Sequence, residues 1–147
     1  MTEHDTETVN MPLPHFEVER VKDLLKGQYL VRSVDVVPRG YARIGTTLLY
    51  LDGTSVDLFI VAQNSLEAPY KLTDLGETTR WVLDMQFKSW RSKKYQRLVE
   101  NALELHGVTR SGGAFERPLA SLDELVHNLI RLGQACIRVA DLTYACR

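Results

Sequence analysis

The chain has 147 residues, 44% of them hydrophobic and 25% charged, and carries a net charge of −1. That is ordinary for one folded globular domain with a core of its own. It excludes a protein that grips nucleic acid with its whole surface, which would show a clear basic excess, and leaves only a local patch for that purpose.

Residues 1–14 contain no aromatic side chain and end in Met-Pro-Leu-Pro. They read as a flexible tail ahead of a single α+β domain over residues 15–147. From His15 the period is helical, with Phe16, Val18, Val21, Leu24 and Leu25 on one side and Gly27 as the stop. The stretch 29–37 is rich in β-branched residues and meets the turn Pro38-Arg39-Gly40. Two further strands are expected over 41–51 and 54–63, joined at Asp52-Gly53 by a two-residue hairpin turn. Tyr70-Lys71-Leu72 closes the antiparallel meander.

Three helices follow. Asp74 with Glu77 forms the pattern of a capping box for the first, whose apolar positions are Trp81, Val82, Met85 and Phe87. Ser92 caps the second, with Tyr95, Leu98, Val99, Ala102 and Leu105 inward. A small ribbon through Ser111-Gly112-Gly113 precedes a second capping box, Ser121 with Glu124. The stripe Leu122, Leu125, Val126, Leu129, Gly133, Cys136, Ile137 and Ala140 marks a long C-terminal helix. Strands grouped ahead of helices predict α+β: an N-terminal helix, an antiparallel meander, then three helices with a ribbon before the last.

The most distinctive segment is Pro69-Tyr70-Lys71-Leu72-Thr73-Asp74-Leu75-Gly76-Glu77-Thr78, followed by Ser92-Lys93-Lys94 and Leu105-His106-Gly107-Val108. This succession resembles a small domain family of unknown function found in bacteria, their phages and mobile elements. Its members read Y-x-L-T-D-x-G after a hairpin, and the likeness runs from Phe16 to Leu142. The resemblance implies an accessory factor that binds and blocks a host component, and it carries no chemistry for particular residues. The same segment is similar to the wing of winged-helix repressors, but the forty residues before it read as strands where a helix–turn–helix would stand.

No apolar run approaches the roughly 20 residues that span a bilayer, and the polar, acidic N-terminus is not a secretory signal. A cytoplasmic protein with no membrane partner is expected. Cys136 and Cys146 would lie about 15 Å apart on a helix, beyond the roughly 7 Å that a disulfide bridges. Both are read as reduced. Cys136 falls on the apolar stripe, where a thiol acts as a small hydrophobe, and His127 is too far along the helix to serve it. The histidines His4, His15, His106 and His127 are scattered. A metal-dependent nuclease would need Asp57, Glu67 and Lys71 to converge, at a spacing unlike the usual Glu-x-Lys. Neither an enzyme nor a cofactor is expected.

The strongest electrostatic feature is the run Lys88-Ser89-Trp90-Arg91-Ser92-Lys93-Lys94-Tyr95-Gln96-Arg97, five cations without an acid. Cations with aromatics beside them hold phosphates and bases, or an acidic protein surface. The plain alternative is a solvated corner with its aromatics in the core. Lysines at a helix N-terminus oppose its dipole, a small cost that hints at use. Lys88, Trp90, Arg91, Lys93, Lys94 and Arg97 are therefore the candidate binding residues. The expected partner is a host protein or nucleoprotein complex, with direct nucleic-acid contact as the alternative. The breadth of the last helix, with Ile130, Leu132 and Val139 off the main stripe, also suits a homodimer seam.

Overall fold

The computed structural model of the chain describes residues 9–146. Its elements run β1 (Asn10–Met11), α1 (His15–Leu25), β2 (Val31–Val36), β3 (Ala42–Leu49), β4 (Ser55–Gln63), β5 (Tyr70–Thr73), α2 (Glu77–Asp84), α3 (Lys93–Leu105), β6 (Thr109–Ser111), β7 (Ala114–Leu119) and α4 (Leu125–Ala145). Short 3-10 turns, Lys88–Arg91 and Leu122–Glu124, precede α3 and α4. The α+β class and the long C-terminal helix are as expected.

The order of the sheet differs from the expectation. The ribbon β6–β7 does not stand alone: β7 pairs antiparallel with β5, giving the path β2-β3-β4-β5-β7-β6, with β1 added to β4. Thus α2 and α3 are an excursion between two neighbouring strands of one seven-stranded sheet. The reason lies in β5, whose Leu72 and Thr73 are wholly buried. A buried strand needs partners for its backbone groups on both edges, and β7 supplies the second. Part of the expected tail also belongs to the sheet. Asn10 and Met11 pair with Gln63 and Ala62, Leu13 donates to the Gly40 carbonyl, and its side chain joins the core. Residues 1–8 lie outside the described residues.

The β3–β4 connection is one residue longer than a two-residue hairpin. Gly53 N–H donates to the Tyr50 carbonyl, Tyr50 N–H donates to Thr54, and Gly53 takes φ +88°. That is a three-residue loop with glycine at the left-handed position. Asp52 steadies it by accepting from the Thr54 amide and hydroxyl.

One face of the sheet carries the core. Ala42, Ile44, Leu58, Ile60 and Leu72 point to α1 and α4 and are fully buried. Helix α4 touches β3, β4, β5, β7 and the other three helices, and its backbone passes so near β3 that a Cβ on Gly133 would stand 2.5 Å from Leu48 Cδ1. This central position uses the breadth that suggested a dimer seam. Leu132 and Val139 are wholly buried within the molecule, and of the three off-stripe residues only Ile130 is exposed. The inward set of α3 also shifts, for Leu103 is buried while Leu105 is 68% exposed.

By strand alternation the opposite face bears Arg43, Asp57, Phe59, Val61, Lys71 and Thr73. Phe59 and Val61 are nonetheless buried and lie apart from the main core. Beside them Lys71 Nζ is 3.1 Å from Glu116 Oε2, both side chains largely shielded.

Candidate functional site

The Y-x-L-T-D-x-G segment spans β5 and the entry to α2, and it works as a structural pin. The Thr73 hydroxyl accepts from the Leu75 amide at 3.0 Å. Asp74 is wholly buried. Its Oδ1 accepts from Gly76 N at 2.8 Å and Phe115 N at 2.9 Å, and its Oδ2 from Thr78 N at 3.2 Å. The Asp74 backbone donates to the Phe115 carbonyl, closing the β5–β7 pair. Leu75 and Gly76 both take left-handed conformations, φ +53° and +81°, which is strained for leucine and natural for glycine. Hence the N-cap of α2 is Gly76, without a side-chain cap bond, and the Asp74–Glu77 capping box does not form. Asp74 faces inward instead, binding backbone from three places.

Burial raises the Asp74 pKa, opposed by these hydrogen bonds. Cys136 Sγ lies 3.9 Å from Asp74 Oδ2. Burial first, and the Asp74 charge second, push its thiol well above the usual range. Such a thiol is a poor nucleophile. The Tyr50 and Thr78 hydroxyls, 2.8 Å apart, complete the buried polar layer. Both cysteines are free.

The nuclease trio is not assembled. Lys71 is engaged by Glu116, and Glu67 is exposed in the loop after β4. Asp57 sits four residues along β4 from Val61, the partner of Lys71, about 13 Å at strand rise. The acids that share the field of Asp57 are instead Asp35 and Glu77, the latter expected from its spacing to be a cap. Burial, then the charges of Asp57 and Asp74, push the Glu77 carboxyl up to about 7. Burial also raises Asp57, against Arg43 and Arg32. Arg43 is committed to Asp35, through bonds of 3.0 and 2.6 Å, and that bond holds Asp35 below the usual carboxylate range. Among the described residues no group of three His, Cys, Asp or Glu side chains is placed to hold a metal ion. Nor is any described helix long and apolar enough to cross a membrane.

The basic run forms a corner between α2 and α3. Lys88–Arg91 make the 3-10 turn, Ser92 is extended, and its hydroxyl accepts from Tyr95 N at 3.1 Å as the N-cap of α3. Lys93 and Lys94 are therefore the first two helical residues. Lys88, Arg91, Lys93, Lys94 and Arg97 are all exposed. Among the described residues none of the five makes an ion pair, whereas Arg20, Lys22, Arg43, Lys71 and Arg110 each do. Glu100, one turn on from Arg97, is taken by Arg110 at 2.9 Å.

The aromatics of the run turn the other way. Tyr95 is fully buried, donates to the Val139 carbonyl at 3.0 Å and meets Phe87 edge-on at 4.7 Å. Trp90, half-buried, leans on Tyr95 at 5.6 Å, and Gln96 ties its carbonyl to α3. The corner is thus rigid beneath and cationic above. Of the six candidate residues the five cations are exposed along the 3-10 turn and the start of α3, while Trp90 is half-buried against Tyr95.

The remaining histidines take no part. His127 accepts from Arg131 at 2.8 Å, and burial lowers His106 at the end of α3. His4 lies outside the described residues.

Against known proteins, residues 46–139 match the family model described as Domain of unknown function DUF1828. That span takes in the Asp74 pin and the whole basic corner, and it is narrower than the likeness read from the sequence, leaving out α1, β2 and the start of β3. No curated protein matches the chain, and no solved structure does. The match covers well over half of the residues, and the chain belongs to this family of unknown function.

Proposed function

We propose that this chain is a non-enzymatic binding protein that docks on an anionic surface through Lys88, Arg91, Lys93, Lys94 and Arg97. One observation carries the reading: five exposed cations, none of them in an ion pair among the described residues, held on a corner packed from below. They belong to a chain of net charge −1, so the rest of the molecule is acidic and the corner stands out against it. Two of them sit where they oppose a helix dipole, which costs a few tenths of a kcal/mol each. A surface that spends stability on unpaired charge is suited to a partner that supplies the counter-charge.

The setting we attach to this is an accessory factor of a phage or mobile element that inhibits a host defence complex, such as a CRISPR effector, by occupying its surface. That finer part rests on the family resemblance. The docking surface itself is tested by chromatography on immobilised heparin, with the folded variant Arg91→Glu/Lys93→Glu/Lys94→Glu beside the wild type. Retention of the wild type and flow-through of the variant is the expected result. Equal elution of the two would overturn the assignment.

A further inference from the structure

The outward chemistry of the corner narrows the class of partner. Phe87 and Tyr95 are buried, and Trp90, half-buried, lies against Tyr95. Single strands bind by stacking their bases on exposed rings, and of these three rings only Trp90 is partly open. Protein interfaces centre on an apolar or aromatic anchor. Here the exposed apolar side chains, Leu83 and Met85, come at the end of α2, ahead of the run, while the run itself holds ammonium and guanidinium groups with the Ser89 and Ser92 hydroxyls.

The spacing of the cations points the same way. Lys93 and Arg97 are one helical turn apart, about 6 Å along the axis. Lys88 and Arg91 are separated by about the same distance along the 3-10 turn. A duplex presents one phosphate charge per about 1.7 Å of axis, so each cation can meet a phosphate without any base being touched. Past Arg97 the exposed positions of α3 become acidic at Glu100 and Glu104. Only the stretch of α3 from Lys93 to Arg97 is suited to approach phosphates, and the helix is not suited to lie along a groove and read base edges.

We infer that the corner docks on the sugar–phosphate backbone of a nucleic-acid duplex, without base readout, through its five cations. This rests on the docking surface proposed above and names its partner.

Fluorescence anisotropy tests it, with the full chain titrated into a labelled DNA duplex of mixed sequence, its RNA counterpart, the single strand, and polyglutamate. Binding to either duplex should survive sequence shuffling. For five contacts on DNA, log K should fall against log salt with a slope of about −4.5, about 500-fold between 50 and 200 mM. Lys93→Ala/Lys94→Ala/Arg97→Ala should bring the slope to about −2, and Arg91→Ala alone should reduce it by about 0.9. Leu83→Ser should leave it unchanged. Tighter binding of the single strand than of either duplex would overturn the inference. So would binding of polyglutamate with neither duplex bound, although the docking surface would then stand. Failure to bind any of these polyanions would remove both.

Discussion

Exchanging Lys93 and Lys94 for glutamate should stabilise the fold while abolishing its binding. Both residues lie in the first turn of α3, behind the Ser92 cap, where the helix dipole favours negative charge. At an exposed site each unfavourable lysine costs about 0.3–0.5 kcal/mol, and each favourable glutamate returns a similar amount. Lys93→Glu also converts a like-charged i,i+4 pair with Arg97 into an opposite one, and Lys94→Glu does so at i,i+3, for a few tenths more. The double variant should therefore gain about 1–2 kcal/mol, which raises Tm by about 3–8 °C for a domain of this size. Thermal unfolding followed by circular dichroism in low salt measures it. The gain should shrink in high salt, as screened surface charges do. An unchanged or lowered Tm in low salt would show that the two lysines are already neutralised or that the helix starts elsewhere, and the argument for an uncompensated corner would fail with it.

The buried groups give sharper effects on stability. Asp74→Ala strands the amides of Gly76, Thr78 and Phe115, and at about 1–3 kcal/mol per unsatisfied group should lower the urea midpoint severely; Asp74→Asn should fall between. Glu77 carries a folded pKa of about 7 against an ordinary 4.5, so the folded protein holds the proton more tightly and stability should decline as pH rises from about 4.5 to 7. Because the group is half exposed, that decline is about 1–2 kcal/mol after screening, and Glu77→Gln should flatten the urea midpoint between pH 5 and 8. At the shielded Lys71–Glu116 pair, Glu116→Leu alone should cost about 3 kcal/mol by leaving an unpaired ammonium, whereas Lys71→Met with Glu116→Leu should be close to neutral in chemical denaturation.

What could be read from the chain beforehand followed from local chemistry. The period of Val18, Val21 and Leu25, the β-branched runs of β2 to β4, and the Ser92 cap all act within a few residues. The Ser121–Glu124 box also forms, with both reciprocal bonds, on the 3-10 turn that leads into α4. The pairing of β5 with β7 could not be read, because its partners lie some forty residues apart and no local signal joins them. Within β7 stands Pro118, a residue without an amide to donate to a ladder. It is tolerated because β6 pairs only with residues 114–116 of β7 and ends short of it. Asp74 misled for a related reason: its spacing to Glu77 is that of a cap, but one of its three donors, Phe115, arrives from the far strand. The cationic run was legible as a run. That its charges face out and its rings face in depended on Tyr95 reaching α4, a contact across 44 positions.

The most direct test of the docking corner is a residue-resolved map of where a polyanion touches the isotope-labelled chain. Backbone amide shifts in nuclear magnetic resonance, recorded while a short nucleic-acid duplex is added, should move in the 3-10 turn and the first turn of α3, residues 88–97. They should stay still in Lys93→Glu/Lys94→Glu. Shifts centred on any other face, or the same shifts in the charge-exchanged variant, would contradict the account.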